Sequence, residues 1–141
     1  PRRRGAFIGL DAKHSRGDLY RAVLEGTAFE MEYARQKAGA LTGLPVTRLA
    51  VAGGGTHNQR WLQIKADVSG CQVAVLPETQ ATALGAALLA GLGCGIYSSW
   101  EALSRQVQCP PREIYLPDNA RHEAYLELYR RFVRLLDSLG E

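Results

Sequence analysis

This sequence of 141 residues contains only three cysteines and one methionine. The three cysteines, Cys71, Cys94 and Cys109, are an odd number, lie far apart and form no CxxC pair. A disulfide framework or a zinc site needs cysteines in pairs at short spacing, so the pattern argues against both. It favours a reducing compartment, and we expect a cytoplasmic protein.

Long apolar runs are also missing. Glycine, proline or a charged residue interrupts each apolar stretch before it reaches the length that crosses a membrane, so we expect no membrane partner. The first residues, Pro1-Arg2-Arg3-Arg4, are not followed by the longer apolar stretch and cleavage site of a signal peptide. They also lack an initiator methionine, and we expect the chain to begin inside a longer protein.

The charges are nearly balanced, with 17 Lys and Arg against 14 Asp and Glu and a formal net charge of +3. Binding to nucleic acid by counterion release requires a concentrated basic face, whereas the basic residues here are scattered among acidic ones. Only residues 2–4 form a basic cluster, and we interpret it as a solvated tail. We therefore expect no nucleic-acid partner, while a homodimer stays open.

Strand-like and helix-like segments alternate along the chain, which predicts an α/β fold with parallel neighbouring strands and flanking helices. Helices are expected at residues 18–40, 56–69, 79–92, 99–106 and from 118 or 119 onward. Strands are expected at 46–52 and 72–76, with the end of a strand at 5–10 and an extended segment at 115–117. About three strands is few for such a sheet, so we expect its first strands to precede the chain.

The sequence also predicts a helix cap, two buried segments and a docking stripe. Asp18 is expected to cap the first helix. The strand at 46–52 and the helix at 79–92, which is rich in Ala, Leu and Gly, are both expected to be buried. In the last helix, apolar residues recur every three or four positions and predict a single docking stripe. Its members are Tyr125, Leu128, Phe132, Leu135 and Leu139.

The most informative local feature is a glycine-rich turn, Gly53-Gly54-Gly55, between a predicted strand and a predicted helix. Glycine allows positive φ angles and lets a ligand approach the backbone, while a helix N-terminus offers free N–H groups. Asn58, in the expected first turn, could donate to or accept from a nucleotide. A tight turn without a ligand is the alternative. The P-loop and dinucleotide-binding patterns are both absent.

Several segments together resemble the C-terminal region of the FGGY carbohydrate kinases. Residues 5–10 and 18–26 resemble the start of that region, and 53–58 resembles its adenine-nucleotide loop. Residues 61–68 resemble the helix that follows, and 78–90, which includes ATALGAALLA, resembles the next block of the family. These segments occur in the order and spacing of the family.

The resemblance implies an actin-like ATPase fold, built from two ribonuclease H-like lobes with ATP in the cleft between them. Such kinases transfer the ATP γ-phosphate to a hydroxyl of a sugar or polyol, assisted by Mg²⁺. Residues 1–141 would then be the C-terminal nucleotide-binding domain. Gly53, Gly54 and Gly55 would lie against the adenosine or the α-phosphate, and Asn58 would contact the adenine.

The resemblance also implies what this chain lacks. The aspartate that acts as general base in the family, and most sugar contacts, belong to segments upstream of the matched region. No residue here is assigned a catalytic or metal-binding role, and the isolated chain is expected to be inactive. Xylulose, other ketoses and polyols such as glycerol all remain candidate acceptors. A regulatory actin-like ATPase lobe and a non-catalytic nucleotide-binding module are the alternative functions.

Three charged residues are interpreted as structural. Arg21 and Glu25 lie four residues apart on a predicted helix, where an ion pair is more typical than catalysis. Asp67 lies within the helix after the glycine turn, and we expect it to support the fold rather than bind Mg²⁺. The three histidines show no metal-ligand spacing.

Overall fold

A computed structural model describes residues 5–77, 80–106 and 110–138. Five helices and three strands are formed within these ranges. The helices are α1 (Arg16–Thr42), α2 (Gln59–Ser69), α3 (Ala81–Gly93), α4 (Trp100–Gln106) and α5 (Asn119–Ser138). The strands are β1 (Arg48–Val51), β2 (Gln72–Val75) and β3 (Glu113–Tyr115). Glu78, Cys109 and Leu139, which the sequence prediction used, lie outside the described residues.

The three strands form one mixed sheet in the order β1-β2-β3. β1 and β2 are parallel, with Arg48 opposite Gln72, and β3 adds to β2 in the antiparallel direction. The chain crosses from β1 to β2 through α2, which is the strand–helix–strand unit that parallel pairing requires. The α/β class and the parallel pair predicted from the sequence are therefore confirmed.

The helix α2 is the centre of the fold because two of its faces are covered. Leu62 and Ala66 pack against the sheet residues Val73 and Val75. Val68, on another face, joins a cluster contributed mainly by α1 and α5. The buried members of that cluster are Ala28, Phe29, Val68, Tyr125 and Tyr129. Since α2 starts directly after the glycine turn, this double packing fixes the position of the turn.

The helix boundaries follow local stop and start signals. Gly43 and Gly70 adopt left-handed conformations and close α1 and α2, as expected of glycine at a helix end. The predicted cap at Asp18 is wrong, because Ser15 is the N-cap residue of α1. Asp18 instead completes a capping box by accepting from the Ser15 backbone N–H at 2.8 Å. This backbone hydrogen bond lowers the pKa of Asp18.

Three predictions of strand or burial are corrected by the structure. Residues 5–10 form no strand, and Ile8 is 61% exposed, because no described strand lies alongside to accept their backbone hydrogen bonds. β1 is only half-buried, since alternate residues such as Ala50 face solvent. The helix α3 is largely exposed and packs mainly against α4, so its apolar composition does not place it in the core of this chain.

The docking stripe of α5 is also shifted from the predicted one. Tyr125 and Phe132 pack on the core as expected, but Leu128 and Leu135 are 43% and 39% exposed. Tyr129 takes their place and is buried. At about 100° per residue, positions 129 and 132 lie closer to the direction of Tyr125 than positions 128 and 135 do.

The two buried tyrosines of α5 allow a matched test of hydroxyl burial. The Tyr125 hydroxyl donates to Glu25 Oε1 at 2.7 Å, whereas the Tyr129 hydroxyl has no hydrogen-bond partner among the described residues. We expect Tyr125→Phe to lower the free energy of unfolding by about 1–2 kcal/mol, because the Glu25 carboxylate loses a buried donor. Tyr129→Phe should be neutral or stabilising, because it removes an unsatisfied polar atom. Urea unfolding of both variants is the measurement, and equal losses in the two would contradict this account.

In the described part of the chain, none of the helices is long and apolar enough to cross a membrane. Cys71 is a buried free thiol and Cys94 an exposed one.

Candidate nucleotide-binding turn

The glycine turn follows β1 and starts at Gly53, whose backbone conformation only glycine adopts readily. Gly53 has φ 87° and ψ −172°, and a short 3₁₀ turn over Gly54–His57 follows. Thr56 locks this shape because its backbone N–H and its hydroxyl both donate to the Gly53 carbonyl, at 3.1 and 2.8 Å. Thr56 is buried, so the side chain that fixes the turn is packed inside the protein.

The next two glycines of the turn have different surroundings. A Cβ atom at Gly55 would lie 2.7 Å from the Trp61 ring, so this position requires glycine for packing. A Cβ atom at Gly54 would meet nothing within 4 Å. The backbone of Gly54 therefore faces open space, where a ligand could approach closely without displacing protein atoms.

Asn58 is the N-cap residue of α2 and not a member of its first turn. Its side-chain oxygen Oδ1 accepts from the backbone N–H of Trp61 at 3.1 Å. Its amide nitrogen Nδ2 donates to the Tyr20 hydroxyl on α1 at 3.3 Å. The amide thus lies at the junction of the glycine turn, α2 and α1, and it is only partly buried.

Trp61 is engaged in packing beside the turn. Its indole N–H donates to the Thr27 hydroxyl at 3.1 Å, and Lys65 Nζ lies 3.7 Å from the ring centroid. Burial lowers the pKa of Lys65, and the contact with the aromatic ring favours its charged form. These contacts account for Trp61 without any ligand.

A shallow cleft of about 300 Å³ lies beside the 3₁₀ turn. It is lined by Thr56, His57, Gln59, Arg112 and Glu113. The two charged groups of the cleft face each other, with Arg112 Nε 3.8 Å from Glu113 Oε1, and the second Glu113 oxygen accepts from Tyr115. The cleft therefore carries little net charge of its own.

The three charged residues that we interpreted as structural do have structural partners. Arg21 Nε lies 2.7 Å from Glu25 Oε1, and the same oxygen accepts from Tyr125 on α5. The hydrogen bond to Glu25 raises the pKa of Arg21 above its ordinary value. Asp67 is 2% exposed and its carboxylate is saturated by contacts to α2 and to the start of α5.

Residues 5–77, 80–106 and 110–138 contain no group of three or more His, Cys, Asp or Glu side chains that could hold a metal ion. The candidate site therefore consists of open backbone at Gly54, a helix N-terminus and the amide of Asn58. Such an arrangement can accept a phosphate or a polar ring edge, and it supplies no group for acid–base chemistry.

Comparison with known proteins identifies the family of this chain. Residues 1–94 match the model of the FGGY family of carbohydrate kinases, C-terminal domain. The chain belongs to the FGGY family of carbohydrate kinases. Over 135 residues, or 94% of its length, it is 36% identical to an L-xylulose/3-keto-L-gulonate kinase of Escherichia coli. Over 128 residues, or 88% of its length, it is 38% identical to a glycerol kinase of Methylibium petroleiphilum.

The fold agrees with that of this family. The crystal structure of the xylulose kinase from Rhodospirillum rubrum matches 99% of the chain with a TM-score of 0.79 and 33% identity. These FGGY proteins are much longer than the present chain. It spans 26% of the E. coli kinase, 25% of the glycerol kinase and 28% of the R. rubrum chain, or about a quarter of each.

The structure brings the predicted site residues together and adds two that sequence reasoning missed. Gly53, Gly54, Gly55 and Asn58 lie in one turn because they are neighbours in the chain. Tyr20 and Thr27, by contrast, reach this region from α1. Their spacing of seven residues, about two helical turns, was the available signal, since it places both on one face of the helix.

Proposed function

We propose that this chain is the C-terminal ATP-binding lobe of a carbohydrate kinase that phosphorylates a hydroxyl of a ketose or polyol. The observation that carries the proposal is the glycine turn. Its backbone is open at Gly54, and the partly buried amide of Asn58 lies at the start of α2 next to it. Gly53, Gly54 and Gly55 would lie along the adenosine or the α-phosphate, and Asn58 would bind the adenine.

The proposed lobe has an actin-like, ribonuclease H-like fold whose first strands lie outside this chain. Two observations support this. In the described residues β1 is an edge strand of a parallel pair, and parallel sheets are normally covered and extended on both sides. One face of the sheet also carries the exposed residues Ala50 and Ile114, while the other packs on α2. The whole chain would then form one domain of a larger enzyme.

The acceptor class rests on the relatives, which are xylulose and glycerol kinases by name. Transfer of the γ-phosphate requires positioning and charge neutralisation on both sides of the phosphate. Mg²⁺ would supply charge neutralisation when bound with the ATP phosphates, and we assign none of its ligands to this chain. The general base and most sugar contacts would come from the other lobe, so the isolated chain should be inactive.

The reaction can be tested on the full-length protein. ATP consumption would be measured with a panel of pentuloses, hexuloses and polyols. Turnover that depends on one of these acceptors supports the proposal and names the substrate. ATP hydrolysis that no acceptor stimulates would instead favour a regulatory ATPase, and absence of nucleotide binding would contradict the site itself.

The proposed role of Asn58 in ATP binding can be separated from its role as a helix cap. Asn58→Ala removes both the capping oxygen and the amide donor, whereas Asn58→Ser retains a capping oxygen. We expect both variants to raise the KM for ATP about three- to tenfold, which is the effect of losing one hydrogen bond. Only Asn58→Ala should lower the melting temperature appreciably. If the serine variant bound ATP like the wild type, the amide would have no part in recognition.

A further inference from the structure

The contacts of Asn58 determine which side of its amide faces a ligand. Oδ1 accepts from the first turn of α2, through the Trp61 N–H at 3.1 Å. Nδ2 is held by the Tyr20 hydroxyl at 3.3 Å. An amide nitrogen carries two hydrogens, and the bond to Tyr20 uses only one. The amide therefore retains one N–H donor that can meet a ligand, while its oxygen is turned toward the first turn of α2.

Tyr20 is placed for this task by the packing of α1 and not by local sequence. It is 38 residues away from Asn58 in the chain. Two helical turns later on α1, Thr27 accepts from the Trp61 indole, so the same helix face contacts the start of α2 twice. Tyr20 is 61% exposed, so the hydroxyl and the amide meet at the accessible surface.

We propose that Tyr20 is a positioning residue for nucleotide recognition, which holds the Asn58 amide with its N–H edge turned toward the base. This inference rests on the proposed function and deepens it. An amide held in this way recognises a hydrogen-bond acceptor, namely a ring nitrogen of the purine. The exocyclic amino group would instead need the carbonyl oxygen, which already accepts from the Trp61 N–H as the cap of α2.

The first test is Tyr20→Phe in the full-length protein. This variant keeps the ring and removes the hydroxyl that holds Nδ2. The KM for ATP should rise about threefold or more, in line with the loss of one positioning hydrogen bond. The KM for the sugar and the melting temperature should stay unchanged, because the lost bond is exposed. Tyr33→Phe, the same change further along α1 against the helical core, is the matched control and should leave the KM for ATP unaltered.

A second test reads out the direction of the hydrogen bond. In 1-deaza-, 3-deaza- and 7-deaza-ATP one ring nitrogen is replaced by a C–H group that cannot accept. The wild type should bind one of the three several-fold more weakly than ATP. That penalty should shrink in both Tyr20→Phe and Asn58→Ser, because the amide donor is misplaced in the first variant and absent in the second. A merely structural tyrosine would weaken all four nucleotides equally.

The outcomes distinguish this inference from the proposed function. If Asn58→Ser does not change the KM for ATP, the amide has no part in nucleotide recognition and the role of Tyr20 falls with it, whereas Gly54→Val still tests the proposed site separately. If Asn58→Ser raises the KM for ATP and Tyr20→Phe does not, only the role of Tyr20 is overturned. The same conclusion follows if the two effects are additive in the double variant, since residues that act through one bond must be coupled.

Discussion

Replacement of Gly54 by valine is expected to raise the KM for ATP about tenfold or more, equivalent to a loss of ~1.4 kcal/mol or more in binding. The physical reason is the open space over this residue, where an added Cβ meets no protein atom within 4 Å. The valine side chain would occupy the volume through which we propose that the nucleotide reaches the backbone. The fold should tolerate the change, and the KM for the sugar should stay within about twofold of the wild-type value.

Two other glycines provide the controls for this experiment. Gly93→Val, at the exposed end of α3, also adds a side chain into open space, and it should leave both KM values unchanged. Gly55→Ala should act through stability instead, because its Cβ would contact the Trp61 ring at 2.7 Å. Steady-state kinetics with ATP and the sugar varied separately is the measurement. Equal increases in both constants for Gly54→Val, or no change in either, would contradict the site.

Asp67→Ala is expected to lower the free energy of unfolding by about 3 kcal/mol, the largest loss of stability that we predict. The carboxylate is 2% exposed, and its Oδ1 atom accepts from Gln63 at 2.8 Å and from the Asp118 backbone N–H at 2.9 Å. Oδ2 lies 3.0 Å from Arg121 Nε. Alanine would remove all three contacts, two of which tie the start of α5 to α2.

Two further variants separate the parts of this effect. Asp67→Asn keeps an oxygen that can accept at the Oδ1 position and loses mainly the ion pair with Arg121, which is more than half exposed, so its cost should be smaller. Glu127→Ala removes an exposed carboxylate of α5 that pairs with two arginines, and its cost should stay below about 0.5 kcal/mol. Urea unfolding followed by circular dichroism would measure all three. An Asp67→Ala loss as small as that of Glu127→Ala would refute the anchoring role.

Much of the chain could be predicted because the responsible interactions are local. Gly70 ends α2 with a left-handed residue, and the strand–glycine–helix order places a Gly-only conformation at Gly53. The pairing of Arg21 with Glu25 follows from a spacing of four residues on one helix. The cap of α1 is Ser15 and not the predicted Asp18, because the Ser15 hydroxyl accepts from the Asp18 backbone N–H and the helix starts earlier than predicted.

Burial was predicted less well. The composition of a segment shows how hydrophobic it is, but it does not show whether another element packs against it. The α3 segment is apolar enough for a core helix, yet Leu89 is 56% exposed in this chain. In α5, Tyr129 is buried where Leu128 was expected, since the direction of docking depends on where Phe29 of α1 lies. Periodicity alone allowed either choice.

The sequence by itself determined the α/β class, the glycine turn with Asn58 beside it, and membership of a kinase family, because these depend on neighbouring residues and their order. Only the tertiary structure decided that Tyr20 holds the Asn58 amide and that Asp67 anchors α5. These contacts join residues 38 and 51 positions apart. Their formation depends on how α1 and α5 pack on α2, and that packing is a sum of many weak contacts that no local pattern encodes.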